Sequence, residues 1–138
     1  MFKITNSQLV EVQVPASTSN LSFQIPDQPQ LLNKKTVAIE FYNVADFSTA
    51  PSGNPVVSAA TLLKTYITLY VKNKDGKQGQ FIYQMPATSL KRATTGAYVW
   101  ELPEFDNLEI DYNKSFINVA TTVSGSAFSF VFNVYYKD

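Results

Sequence analysis

Alternation of apolar and polar positions runs through most of this chain and is sharpest near its end. In residues 127–136, Phe128, Phe130, Phe132, Val134 and Tyr136 fall on one side at a period of two, while Ala127, Ser129, Val131, Asn133 and Tyr135 make a smaller, mixed side. That period is the mark of a β-strand, whose successive side chains point to opposite faces. The pattern predicts a long central strand with one dominant buried side, and such a side needs a second apolar layer to lie against.

The other segments supply that layer. Residues 8–14 place Val10, Val12 and Val14 together and stop at Pro15, as an outer or edge strand does. Leu21, Phe23 and Ile25 alternate up to Pro26, and Pro26 and Pro29 then fix φ and remove donors, so residues 26–35 read as a connection. In residues 36–43, Val37, Ile39 and Phe41 share one face, Ala38 and Tyr42 partly cover the other, and Glu40 is the one charge; this is a second central strand. Ile67, Leu69 and Val71 followed by Phe81, Tyr83 and Met85, with Asp75-Gly76 between them, predict a hairpin. Residues 98–102, ended by Pro103, and 115–120 are further strands. One helix of about ten residues is predicted where Asn54 and Pro55 offer a cap and a first position, with Val56, Ala59, Ala60 and Leu63 at helical spacing.

These elements predict an all-β fold: an antiparallel two-sheet sandwich of about eight strands, a single domain over residues 1–138. The jelly roll is the common eight-stranded version, and an immunoglobulin-like sandwich is the alternative, although its Cys-Trp-Cys signature is missing.

Composition narrows the chemistry. With 45% apolar residues, ten Phe and eight Tyr, 138 residues hold a core without disulfide or metal staples. Eleven basic and eleven acidic residues leave no net field to attract nucleic acid or an anionic membrane. The chain has no Cys and no His, which excludes disulfides, thiolate zinc, cysteine nucleophiles and Ser-His-Asp catalysis. No enzyme and no cofactor are expected; among enzymes that need no His, a carboxylate-dependent glycan-cleaving one is the reading to weigh, and it needs two acids facing each other across a groove. The start has no charged segment followed by an apolar one, and no run is long enough to span a bilayer. We therefore expect a soluble chain beginning at Met1, without a signal peptide or membrane insertion.

The densest charged feature is Glu101, Glu104, Asp106, Glu109 and Asp111. If residues 107–112 are extended, Asn107, Glu109 and Asp111 project to one side, and three oxygen-bearing side chains there are candidate calcium ligands. The same spacing matches no established calcium loop and suits the polar side of a half-buried strand. The basic residues come in small groups, Lys34-Lys35, Lys72, Lys74 and Lys77, and Lys91-Arg92, as solubilising turn tips do. Tyr98, Trp100 and Tyr112 are candidates for stacking on sugar rings; most other aromatics sit at the strand period and belong to the core.

Residues 25–31, Ile-Pro-Asp-Gln-Pro-Gln-Leu, then Val37 to Glu40, and later residues 107–117 resemble small jelly-roll structural proteins of bacterial viruses. The chain is similar in particular to minor capsid or penton components of tailless icosahedral phages with an internal membrane. The resemblance implies a virion protein, assembled in the host cytoplasm, that forms rings with copies of itself, a pentamer first of all, and contacts the major capsid protein and a spike protein. Tyr42, Trp100, Val131 and Tyr135, as apolar residues left over from the core, are then interface candidates. A carbohydrate- or receptor-binding module of a viral spike is the alternative from a different class.

Overall fold

The computed structural model describes residues 6–46, 48–71, 81–88, 98–101, 109–121 and 125–137. Among the described residues eight strands run in chain order: β1 Asn6–Val14, β2 Ser22–Gln24, β3 Lys35–Tyr42, β4 Thr65–Val71, β5 Phe81–Pro86, β6 Tyr98–Glu101, β7 Phe116–Val119 and β8 Phe128–Lys137. They form two four-stranded sheets, in the orders β1-β8-β3-β6 and β2-β7-β4-β5. The antiparallel pairs β1 with β8, β2 with β7, β3 with β6 and β4 with β5 are nested, first with last and inward to the middle. This is a long hairpin with its tip between β4 and β5, rolled so that β8 also meets β3 and β7 also meets β4. Nested pairing of this kind is the jelly-roll order. The all-β sandwich expected from the alternation is the fold, and the immunoglobulin order of strands is not present.

The core lies between the sheets because each strand turns its alternate apolar residues inward. Val10, Val12 and Val14 of β1 are 1% exposed, and Ile67, Leu69 and Val71 of β4 no more than that. Phe23 on β2 meets Phe130 on β8 across the sandwich, ring centres 6.3 Å apart, while Phe41 and Phe132 pack at 5.1 Å within the first sheet. Leu21, grouped by sequence with Phe23 and Ile25, lies one residue before β2 and is exposed. The predicted hairpin pairs from Tyr66 with Pro86 to Val71 with Phe81; its turn lies outside the described residues.

Two expectations need correction. The side of β8 that faces away from Phe130 and Phe132, expected to be the smaller and mixed one, is covered as well: Ser129 and Val131 are fully buried and Tyr135 nearly so. At Ser129 the covering element is the connection between β3 and β4, which bonds to both its backbone and its hydroxyl. Ser129 N donates to Pro55 O and Val57 N to Ser129 O, each at 2.9 Å, and Asn54 Nδ2 donates to Ser129 Oγ at 3.2 Å. The same connection shortens the helix. Pro55 and Val56 lie in β-bridges with Thr49 and Ser129, the extended state that a β-branched pair favours, and α1 is only Ala59–Leu62. Ser58, not Asn54, caps it, its Oγ accepting from Thr61 N at 3.2 Å. Leu62 is buried, and Leu63 of the predicted apolar stripe is 65% exposed.

Candidate functional site

The acidic segment enters the described structure at Glu109. Ile110 and Tyr112 point inward, 3% and 5% exposed, and Glu109 and Asp111 lie half-buried on the other side, in the alternation the sequence predicts. Asp111 N donates to Tyr70 O at 2.7 Å, and the chain then turns, with the Asp111 carbonyl accepting from Lys114 N, Ser115 N and Ser115 Oγ. This segment and the connection after β2 enclose an open cleft of about 220 Å³, lined by Asp27, Leu31, Leu32, Glu109, Asp111 and Asn113 among others. Glu109 Oε2 accepts from Asn33 N at 3.0 Å, which ties the two walls together. Among the described residues no group of three or more acids, His or Cys is arranged to hold a metal ion. Of the calcium candidates, Glu109 and Asp111 are therefore two carboxylates on one cleft wall, and Asn107 lies outside the described residues.

Tyr112 does not offer a stacking surface. Its hydroxyl is 2.7 Å from Thr36 Oγ1, both groups being buried, and burial pushes its phenol well above the ordinary tyrosine range, against a smaller opposite effect of the Thr36 bond. We expect Tyr112→Phe to cost about 1–2 kcal/mol, because it strands the Thr36 hydroxyl without a partner. A phenol with a raised pKa contributes stability that is complete below about pH 10, the unfolded value, and is lost as pH climbs toward the folded one. Absorbance titration should thus show a late step, after the exposed tyrosines ionise, to which Tyr112 and Tyr42 both contribute, and this step should shrink without vanishing in Tyr112→Phe. Ionisation of all tyrosines together near pH 10 would contradict the arrangement.

The interface candidates fall in different places. Val131 belongs to the main core, and Tyr135, 8% exposed, packs with Ala38, so neither is left over from the interior. Tyr42 is half-buried and donates to Glu40 Oε1 at 2.5 Å, Tyr135 donates to the same oxygen at 2.9 Å, and Asn133 Nδ2 donates to the Tyr42 hydroxyl at 3.1 Å. Glu40 is 4% exposed. Burial, and then the Glu40 carboxylate, push the Tyr42 phenol upward. Trp100 sits on β6 opposite Ile39, and Tyr98 opposite Phe41; their side chains lie outside what is described.

A second polar knot fastens the β3–β4 connection. Glu11 accepts from Ser129 Oγ at 2.6 Å, from Ser52 N at 3.1 Å and from the Ser52 hydroxyl. Burial raises its pKa, but the hydroxyls of Ser129 and Ser52 and the Ser52 N–H together outweigh it and hold the carboxyl below its usual range. A depressed carboxyl contributes stability that is present above the unfolded value, about 4.3, and is lost as pH falls through the folded one. Glu11→Gln is expected to cost about 1 kcal/mol at neutral pH, a figure already reduced for solvent screening. In urea titrations the deficit should close as the pH drops below about 4. A deficit that stayed constant down to pH 3 would show that the charge of Glu11 is not what holds the loop.

The feature that sequence reasoning missed is the outer face of the second sheet. Its registers align Ser22, Asn118, Tyr66 and Pro86 in one row and Gln24, Phe116, Thr68 and Gln84 in the next, with Tyr70 beyond Thr68 on β4. These positions include three aromatic rings and no charge. Tyr70 and Phe116 have ring centres 6.3 Å apart. Thr68 is 5% exposed, and its Oγ1, like Asn118 Oδ1, is closed off from water without a hydrogen-bond partner among the described residues. Each such atom costs about 1–3 kcal/mol, so an unsatisfied pair on one sheet face is an anomaly. The available signal was the lack of charge at the outward positions of β4 and β7, where a solvated strand carries Lys or Glu. No family model matches the chain, and no curated protein or solved structure does either.

Proposed function

We propose that this chain is a virion structural protein, a penton-type vertex or minor capsid subunit that assembles with copies of itself and contacts the major capsid protein. The observation that carries the reading is the nested pairing of eight strands into two four-stranded sheets, the arrangement expected of the jelly-roll structural proteins that residues 25–31, 37–40 and 107–117 resemble. A sandwich of this order presents two sheet faces and four strand edges, β1 and β6 on one sheet and β2 and β5 on the other. Head-to-tail contacts between such surfaces close into a ring when the rotation between neighbours allows it. Zero net charge removes the self-repulsion that would oppose close packing of identical subunits. The test is immunoelectron microscopy of particles from the virus that encodes the chain. Label at the five-fold vertices is expected; purified particles free of the protein would overturn the reading.

A further inference from the structure

Independently of the assembly role, we infer that the outer face of the β2-β7-β4-β5 sheet is a binding site for a short neutral oligosaccharide, held by Tyr66, Tyr70, Phe116, Thr68, Asn118 and Gln24. Three features select this class of ligand. The face carries no charged residue, so it has nothing to pair with a phosphate, a carboxylate or a basic peptide. Its three rings offer flat apolar surface to the C–H faces of sugar rings, with Tyr66 the most open of them at 37% exposure. Thr68 Oγ1 and Asn118 Oδ1 lie unpartnered beside Tyr66, Thr68 two residues along the same strand and Asn118 directly opposite it. An occupant dense in hydroxyls can satisfy both while covering the rings.

The size of the face points the same way. Three strand spacings of about 4.8 Å by four residues at about 3.3 Å each give a footprint of roughly 200 Å². A second copy of the chain needs about 800 Å² on each side for a stable interface, several times what this face provides. Both oxygens are closed off from water, so a ligand reaches them only when a neighbouring side chain turns aside, a motion of picoseconds to nanoseconds for an exposed residue such as Tyr66.

The experiment is amide-resolved NMR titration of the full chain, labelled with nitrogen-15, against chitotriose, cellotriose and maltotriose at millimolar concentration. The expected result is saturable shifts confined to β2, β4, β5 and β7 with at least one of the three. Tyr66→Ala should weaken that binding about tenfold. Thr68→Val, which keeps the shape and removes the hydroxyl, should weaken it with the fold intact. Absence of shifts with all three, shifts unaltered in Tyr66→Ala, or shifts that follow protein rather than saccharide concentration would each overturn the proposal. The vertex-labelling test of the assembly role reads a different property, so failure of one leaves the other standing.

Discussion

Phe130→Ala is expected to lower the free energy of unfolding by about 4 kcal/mol. Phe130 is fully buried on the central strand β8 and reaches across the sandwich to Phe23 on β2, with Phe128 at its edge 5.3 Å away. It thus packs both along its own sheet and against the other one. Removing the ring deletes the transfer energy of a buried aromatic and leaves a cavity that two stiff sheets cannot close. Against a total stability of roughly 5–15 kcal/mol, that is a large fraction of what keeps the domain folded. Urea unfolding followed by tyrosine and tryptophan fluorescence measures it directly. A loss under about 1.5 kcal/mol would mean that the ring is not at the junction of the sheets.

Val131→Asp separates the interior from an interface. On sequence grounds Val131 is an apolar residue left over from the core on the smaller, mixed side of β8, available to a neighbouring subunit; in the structure it is fully buried in the main core cluster, between Glu11 of β1 and Tyr42 of β3 in the sheet register. A carboxylate there is taken out of water with the Glu11 carboxylate as its partner across the strands, and the expected penalty is about 4 kcal/mol or more, enough to leave the isolated chain largely unfolded. The reading of Val131 as a contact residue predicts instead a folded monomer that fails to assemble. Circular dichroism of the variant at low concentration distinguishes the two, with loss of the β spectrum expected.

What the sequence made legible was each strand considered alone. Inward residues of β1, β4 and β8 recur at a period of two because a pleated strand buries one side, and nothing beyond the strand is needed to see it. The nested partners were not legible, since the choice of β8 for β1 depends on residues more than a hundred positions away. The second covered side of β8 was hidden for the same reason: Ser129 looks like a solvent-facing residue until Pro55 and Asn54 are placed upon it. Alternation in the acidic segment was correct at Ile110 and Tyr112, yet the use of Glu109 by the backbone of Asn33, 76 residues earlier, leaves no local trace. On the outer face of the second sheet, Tyr66, Thr68 and Tyr70 occupy ordinary off-core positions of β4, and only the registers with β7 show them joining Phe116 and Asn118 in one uncharged patch.

Light scattering of the purified protein at micromolar concentration, with calcium and with a chelator, tests the assembly account most directly. The account predicts a closed ring of identical chains, a pentamer of five 15.4 kDa chains at about 77 kDa. A ring that forms only with calcium would bring Glu109 and Asp111 into the contact. A 15.4 kDa monomer at every concentration and in both buffers would contradict it.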